Sequence, residues 1–358
     1  MVENKVSMVN LRRKGEEIRQ FILDNVHSHP RDIVTFTAGR FHLTHQAVSK
    51  HIKNLIAQGL LNLKGKTKDR YYSLTELTSS SFTYSLDGNL KEDVVWSRDI
   101  RPLFSELPDN VVRIWQHGIT EIINNAIDHS AGTLVNVRVK KTAVTSEVLI
   151  WDDGVGIFKK IARELNLEDE RHAVLELAKG KVTTDPRHHS GEGIFFTSRM
   201  FDYFMILSNQ IMFSHEFHTS TDLVGERFMN GTEGTNVFLQ IKNNSARTIK
   251  QVFDEFSSGD FLFSKTVVPV WLAQYGSDRL VSRSQAKRLL AGIEKFEIVV
   301  FDFTNVDFIG QGFADEIFRV FAKYHPDITI EYINANRDIE DMVKRVRHGT
   351  DTSQPELF

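Results

Sequence analysis

Four short motifs that occur in a fixed order between residues 121 and 235 constrain this chain more than any other feature of its sequence. The first lies in a predicted helix over residues 114–129, where apolar residues recur at helical spacing. Residues at i, i+4, i+7 and i+8 form one polar stripe on this helix: Glu121, Asn125, Asp128 and His129. A polar stripe alone is typical of a solvated face, so its meaning depends on the motifs that follow.

The other three motifs combine glycine with polar residues at the ends of predicted elements. An apolar strand over residues 148–151 runs into the sequence DDGVG at 152–156, where glycine permits a flat ligand to approach the backbone. The sequence SGEG at 190–193 precedes a predicted helix, and a helix N-terminus can bind an anion. The sequence GTEGT at 231–235 leads into an alternating strand over residues 236–241. Each motif is common by itself, and the set is informative through its order.

In this order and spacing, the motifs resemble those of the GHKL ATPases, the fold family shared by histidine kinases, DNA gyrase and MutL. The resemblance covers about residues 95–242 and implies an α/β sandwich that binds ATP. Glu121, Asn125 and Ala126 match the E-x-x-x-N-A motif. The two glycine boxes and the closing G-T pair are matched by Asp152, Gly154, Gly156, Gly191, Gly193, Gly234 and Thr235.

The resemblance implies a role for each matched residue. Asp152 is expected to accept a hydrogen bond from the exocyclic amine of adenine, while Asp153 occupies a variable position beside it. Asn125 is expected to ligate Mg²⁺ through its amide oxygen. Glu121 is the expected catalytic residue, placed to polarise an attacking water or hydroxyl. The phosphate oxygens are expected to contact the backbone amides near Gly191 and Gly193 and the hydroxyl of Thr235.

Residues 158–190 are expected to form the lid over the phosphates. One or two of its cationic residues would contact the γ-phosphate, and the sequence does not select among them: Lys159, Lys160, Arg163, Arg171, Lys179, Lys181 and Arg187. His188 and His189 adjoin the second glycine box and can be read as metal ligands. No acidic or histidine partner lies at ligand spacing, so they are interpreted as lid residues.

The first 75 residues differ in charge from the rest of the chain. They contain 13 Lys and Arg against 6 Asp and Glu, a balance of +7, whereas the remaining residues have a balance of −10. A basic module on an acidic body suggests binding to a polyanion. The alternative is a solvated basic face.

The pattern of this basic module resembles a winged helix-turn-helix domain over residues 10–75. Helices are predicted over residues 15–26, 33–41 and 46–58, the last with Thr44 as N-cap and Gly59 at its end. Short strands are predicted over residues 60–63 and 70–74. Such domains place the third helix in the major groove of double-stranded DNA and the wing against the backbone.

The expected DNA contacts follow from this placement. On the third helix they are Gln46, Ser49, Lys50 and Lys53, where Gln can read adenine and Lys can reach guanine or phosphate. On the wing they are Lys64, Lys66, Lys68 and Arg70, which would contact phosphates. The alternative is a winged helix that serves protein contacts or dimerisation.

The last third of the chain alternates predicted helices and strands, which indicates an α/β layer. The sequence DFTNVDFIG at 302–310 resembles the strand-to-helix turn of STAS domains, over about residues 262–347. In anti-sigma factor antagonists a serine follows this turn and is phosphorylated, but Gln311 occupies that position here. We therefore expect a STAS-like domain that carries no phosphate at this turn. It would dock onto the ATPase domain and respond to its nucleotide state, and it is a candidate contact surface for a protein partner.

These assignments predict a multidomain α+β protein with a winged helix at 8–75, a GHKL domain at 94–242 and a STAS-like domain at 261–347. Residues 76–93, rich in Ser and Thr, and residues 243–260, which have a short helical pattern between an Asn-rich and a Ser-rich stretch, are predicted linkers. Residues 348–358 are a predicted tail. The absence of Cys excludes disulfides and thiolate chemistry. Neither a membrane span nor the apolar core of a signal peptide is predicted, so we expect a cytoplasmic protein.

The expected function is that of an ATP-binding regulator of transcription. It would be a slow Mg²⁺-dependent ATPase whose nucleotide state controls the DNA-binding and partner-binding modules. Two alternatives stay open: an anti-sigma-type serine/threonine kinase that acts on a separate STAS partner, and a nucleotide-gated interaction module without turnover. A sensor histidine kinase is disfavoured because no phosphoacceptor His with an acidic residue and Pro precedes the site.

Overall fold

A computed structural model describes residues 2–182, 191–218, 221–226, 233–257, 262–274 and 279–348. The chain divides into two units. Unit 1 comprises Met1–Phe82, Arg138–Val148 and Gln240–Ser245, and unit 2 comprises Thr83–Val137, Leu149–Leu239 and Ala246–Phe358. No helix in the part of the chain that the structure describes is both long and apolar enough to cross a bilayer.

Unit 1 begins with three helices, α1 (Val2–Asn25), α2 (Ile33–Phe41) and α3 (His45–Ala57). A hairpin follows, formed by the antiparallel strands β1 (Leu61–Lys64) and β2 (Tyr71–Leu74). The Oγ of Thr44 caps α3 by accepting a hydrogen bond from Ala47 N at 3.2 Å. The predicted helices and hairpin are confirmed, but α1 starts well before residue 15. Residues 2–14 contain no proline to stop the helix, and a single interior Gly15 is tolerated at a cost of about 1 kcal/mol.

The hydrophobic core of unit 1 includes a residue that lies outside its three helices and its hairpin. Ile22, Val26, Val48 and Ile52 form its centre, and the cluster also includes Val144, which is 7% exposed. Val144 lies in the turn between two strands of a larger sheet, β4 (Leu134–Lys141) and β5 (Thr145–Asp152).

That sheet has seven strands in the order β3-β4-β5-β9-β6-β7-β8. The other strands are β3 (Thr78–Ser85), β6 (Tyr203–Ser208), β7 (Ile211–Glu216), β8 (Thr221–Glu226) and β9 (Thr235–Lys242). β6, β7 and β8 pair in antiparallel fashion. Strand β3 lies inside the predicted linker at 76–93, which is therefore wrong for these residues. The Ser/Thr run alternates with less exposed residues that include Phe82 and Tyr84, a pattern that suits a strand.

The helices of unit 2 up to residue 256 are α4 (Glu92–Val95), α5 (Asp109–His129), α6 (Ile157–Glu164), α7 (Glu170–Lys179), α8 (Gly193–Met200) and α9 (Ile249–Phe256). A π-helical turn at Trp96–Ile100 and a 3-10 turn at Arg101–Phe104 extend α4. Helix α9 lies within the second predicted linker, where the sequence shows a short helical pattern. Thr248 and Gln251 form a capping box, and the ring of Phe253 stacks on Phe196 with centroids 4.0 Å apart.

The C-terminal part of unit 2 has a parallel sheet of β10 (Lys265–Pro269), β11 (Ile298–Asp302) and β12 (Thr329–Ile333), in that order. Its helices are α10 (Arg283–Leu290), α11 (Gln311–Asp315), which continues through a π-helical stretch at Glu316–Phe321 into α12 (Ala322–Tyr324), and α13 (Arg337–His348). The predicted strand and helix alternation is confirmed, and β10 is an addition to it. Of the predicted tail, residues 349–358 lie outside the described residues.

Candidate functional site

Unit 2 contains a cavity of about 370 Å³, a volume within the usual range of small-molecule sites. Helix α5 forms one side, and Ile150, Ile206 and Val237 contribute an apolar surface from β5, β6 and β9. Phe195, Phe196 and Phe253 are among the further lining residues. Seven predicted site residues line it together: Glu121, Asn125, Asp152, Gly156, Gly191, Gly193 and Thr235.

Asp152 reaches the cavity because of the alternation of strand β5. Ser146, Val148 and Ile150 are buried at every second position, and Asp152 is the next residue in this series. It is 8% exposed, and its Oδ1 accepts hydrogen bonds from Gly154 N at 2.8 Å and Thr235 N at 3.3 Å. Burial raises the pKa of the Asp152 carboxyl above its ordinary value, while these backbone hydrogen bonds oppose the rise.

Asp153 lies next to Asp152 in sequence but has a different environment. Its exposed carboxylate accepts hydrogen bonds from Thr133 N at 2.7 Å and Leu134 N at 2.9 Å, and another from the Thr133 hydroxyl. The Thr133 hydroxyl and these backbone donors lower the pKa of Asp153 to about 2. Asp153 does not line the cavity. Its carboxylate instead forms hydrogen bonds with Thr133, just before β4, and with Leu134, the first residue of β4.

Glu121 and Asn125 interact on one face of α5. The Asn125 Nδ2 donates a hydrogen bond to Glu121 Oε1 at 3.2 Å. With its amide nitrogen used in this way, Asn125 has its Oδ1 available as an oxygen ligand. Glu121 also packs against Gly193, where a Cβ would lie 1.7 Å from its Oε1. Any side chain at residue 193 would therefore displace the carboxylate.

The predicted glycines divide into two groups. Gly156, Gly191 and Gly193 line the cavity, whereas Gly154 and Gly234 do not. Gly154 donates its N–H to Asp152, and the carbonyl of Gly234 accepts a hydrogen bond from Ser208 Oγ at 3.1 Å. Gly234 has φ of +93°, and a Cβ there would lie 2.1 Å from the carbonyl oxygen of Asp152. Both glycines therefore contact Asp152 without lining the cavity.

The hydroxyl of Thr235 also has a partner in the protein. Its Oγ1 accepts a hydrogen bond from Ile157 N at 3.0 Å, at the start of α6. The hydroxyl retains a donor hydrogen for a ligand oxygen. It therefore connects the start of β9 to the first turn of α6.

The structure distinguishes among the cationic residues predicted for the lid. Lys160 lines the cavity, with its Nζ donating to the carbonyl oxygen of His129 at 3.0 Å. Lys159, Arg163, Arg171, Lys179 and Lys181 are not lining residues, and Lys179 is buried elsewhere. Arg187, His188 and His189 lie outside the described residues. Within the described ranges, no group of three or more His, Asp or Glu side chains could hold a metal ion.

His117 is a lining residue that the sequence motifs did not indicate. It lies one turn before Glu121 on α5, and burial lowers the pKa of its imidazole. Its Nε2 is buried and has no hydrogen-bond partner among the residues that the structure describes. The i, i+4 spacing to Glu121 is the signal that would have identified it.

The predicted DNA contacts form an exposed cationic surface in unit 1. Gln46, Lys50 and Lys53 on α3 are exposed, Ser49 is half-buried, and the hairpin exposes Lys64, Lys66 and Arg70. The side chain of Lys68 is outside what the structure describes. None of these lysines and arginines that the structure describes forms an ion pair with another described residue.

At the carboxyl end of β11, the hydroxyl of Thr304 is used within the protein. It donates to Asp302 Oδ1 at 2.7 Å and accepts from Asn334 Nδ2 at 3.0 Å. Gln311, the first residue of α11, is exposed.

One comparison with known families identifies part of the chain. Residues 285–340, from within α10 to within α13, match the family model of the STAS-like domain of unknown function (DUF4325). The C-terminal part of unit 2 thus contains a STAS-like domain. A comparison of the chain with curated proteins finds no match.

Proposed function

We propose that unit 2 binds ATP and Mg²⁺ in this cavity as a GHKL-type domain, and that slow hydrolysis of ATP sets the state of a DNA-binding winged helix and of the STAS-like domain. The observation that carries the proposal is the position of Asp152. A buried carboxylate at the end of an apolar surface suits the edge of a flat heterocycle. Both observed backbone hydrogen bonds go to Oδ1, so Oδ2 would accept the adenine amine.

The polar side of the cavity suits the phosphates. Asn125 Oδ1 would ligate Mg²⁺ together with phosphate oxygens and water, because protein carboxylates for a complete coordination sphere are lacking among the described residues. When bound, Mg²⁺ would neutralise part of the phosphate charge. Lys160 would supply a cation. The N-terminus of α8 at Gly193 would supply backbone N–H donors.

Glu121 is the proposed general base for hydrolysis. It would accept a proton from a water molecule whose oxygen attacks the γ-phosphorus, while the bond from that phosphorus to the bridging oxygen breaks. The hydrogen bond from Asn125 and the close contact with Gly193 fix the position of the carboxylate. Positioning of this kind provides most of the catalysis in phosphoryl transfer.

Unit 1 is proposed to bind double-stranded DNA. The support is the exposed set of Lys50 and Lys53 on α3 and Lys64, Lys66 and Arg70 on the hairpin, whose charges are not neutralised by described ion pairs. Gln46 would contribute to base recognition and the hairpin lysines to phosphate binding.

Incubation of the full chain with Mg·ATP labelled at the γ-phosphate tests the proposal. Free labelled phosphate is expected, and at ATP concentrations below saturation an Asp152→Asn variant should release less than the parent, in proportion to its weaker binding. Label on the protein within residues 300–315 would instead favour a kinase and contradict the expectation from Gln311, which has no hydroxyl. Binding without either product would favour a nucleotide-gated module.

A further inference from the structure

The STAS-like domain contacts the nucleotide-binding part of unit 2 through a buried lysine. Lys179, the last residue of α7, is 1% exposed. Its Nζ donates to Glu176 Oε1 at 2.7 Å and to two carbonyl oxygens at the end of α10, Ala291 at 2.7 Å and Arg288 at 3.3 Å. The ammonium therefore caps the C-terminal end of α10, where unpaired carbonyl groups favour a cation.

The backbone that follows Lys179 is held by the same domain. The carbonyl oxygen of Lys179 accepts a hydrogen bond from the buried hydroxyl of Thr266 on β10 at 2.6 Å. Gly180 has φ of +81°, and a Cβ there would lie 2.7 Å from the ring of Phe263. Lys181 Nζ donates to the carbonyl oxygen of Lys295 at 3.0 Å. Residues 179–181 are thus fixed from the side of the STAS-like domain.

The next residue belongs to the wall of the cavity. Val182 is a lining residue, and its N–H donates to the carbonyl oxygen of Gly191 at 3.1 Å. Gly191 also lines the cavity, and a Cβ there would lie 2.5 Å from the Val182 carbonyl carbon. A second, aromatic path joins Phe263 to the lining residues Phe195 and Phe196, with ring centroids 4.7 and 4.9 Å apart.

We propose that the STAS-like domain regulates ligand binding in the cavity by fixing the wall at Val182 and Gly191, with Lys179 and Thr266 as the positioning residues. The inference rests on the proposed function, because it takes Mg·ATP as the ligand. A partner that displaces α10 or β10 would move residues 179–181 and change the affinity for nucleotide. By thermodynamic linkage, nucleotide would change the affinity for that partner by the same factor.

The test uses the full chain and a pair of matched variants in the STAS-like domain. Thr266→Val removes the hydrogen bond to Lys179 with little change of volume. Thr304→Val removes the hydroxyl bonds to Asp302 and Asn334, which do not reach α7. Calorimetry gives the dissociation constant for Mg·ATP, and hydrogen exchange is followed in peptides that cover residues 180–182 and 191–194.

We expect Thr266→Val to weaken Mg·ATP binding by at least about fivefold, the lower end of usual coupling effects. It should also speed exchange in both peptides without nucleotide, whereas Thr304→Val should do neither. Lys179→Met, which removes the ammonium and keeps an apolar chain, should have a larger effect. If Lys179→Met does not fold, as judged by circular dichroism, Thr266→Val decides.

Two outcomes separate this inference from the proposed function. Unchanged affinity in Thr266→Val, with parent protein that binds Mg·ATP, overturns the inference and leaves the proposed function in place. A parent that does not bind Mg·ATP overturns the proposed function. In that case faster exchange at 191–194 in Thr266→Val alone still supports control of the wall, and unchanged exchange there overturns it.

Discussion

In the cavity of unit 2, Asp152 is 8% exposed and is held by two backbone N–H groups, whereas on unit 1 the lysines of α3 and of the hairpin are exposed and without described ion pairs. A buried charge costs solvation energy and must be fixed by specific donors. An exposed charge costs little, and its interactions are screened by salt. The cavity is therefore suited to stereospecific recognition of a small ligand, and the surface to general attraction of a polyanion.

The largest expected effect concerns Glu121, the proposed general base in the cavity. Glu121→Gln keeps an oxygen that accepts from Asn125 but removes the carboxylate. Hydrolysis of ATP should fall by about 10²–10⁴-fold, while affinity for Mg·ATP should change little. Phosphate release and calorimetry measure the two quantities. Glu164→Ala, an exposed residue outside the cavity, is the control. Equal rates in parent and Glu121→Gln would remove Glu121 as the base.

Asp152→Asn should weaken ATP binding by about 5–150-fold, because an unmatched buried polar group costs about 1–3 kcal/mol. The melting temperature of the Asp152→Asn variant should be no lower than that of the parent. The pKa of Asp152 is raised, so its ionised form is disfavoured by folding, and its contribution to stability falls as pH rises from 3.8 through the raised pKa. The neutral amide avoids this cost and keeps an oxygen for Gly154 N.

Asp153→Asn makes the same chemical change at the neighbouring residue, and its expected effects are the reverse of those of Asp152→Asn. Because the pKa of Asp153 is lowered from 3.8 to about 2, its ionised form stabilises the fold above pH 3.8, and this contribution is lost as pH falls toward 2. Asp153→Asn should therefore lower the melting temperature at pH 7 and leave ATP binding intact. A variant pair with equal effects on both properties would contradict the separate roles of these carboxylates.

A further test compares Lys160, which lines the cavity, with Lys159, which does not. Lys160→Met should weaken binding of Mg·ATP by about tenfold, since a hydrogen bond to a charged group contributes about 1.5 kcal/mol or more. Lys159→Met, an exposed neighbour that does not line the cavity, should have no effect. Calorimetric titrations with Mg·ATP at low and high salt should show that its affinity depends less on salt than the affinity for DNA does. Equal affinities for the two variants would remove Lys160 from the site.

The smallest expected effect per residue belongs to the surface of unit 1. Lys64→Glu with Lys66→Glu should flatten the dependence of log affinity for duplex DNA on log salt by about 1.8, at about 0.9 per phosphate contact. The loss should be similar for all DNA sequences. Lys287→Glu with Lys323→Glu makes the same charge change at exposed residues of the STAS-like domain. If the parent binds no DNA, or binds without salt dependence, unit 1 has a protein-binding role.

Several features could be predicted from the sequence because they depend on residues close together in the chain. The alternation of β5 places Asp152 on the buried face, and the i, i+4 spacing on α5 brings Glu121 beside Asn125. The helices and hairpin of unit 1 and the alternation in the STAS-like part also follow from local periodicity and capping. Their proposed roles in ATP and DNA binding remain predictions.

The tertiary structure decided what local patterns leave open. Strand β3 forms in a segment predicted as a linker, and the short helical pattern of the second predicted linker is the packed helix α9, because partners distant in sequence bury their apolar residues. Lys160 and Lys179 have the same chemistry and both lie in the predicted lid, yet one lines the cavity and the other caps α10. A side chain's partner depends on which distant backbone groups packing brings within hydrogen-bond distance, and composition and periodicity carry no record of those contacts.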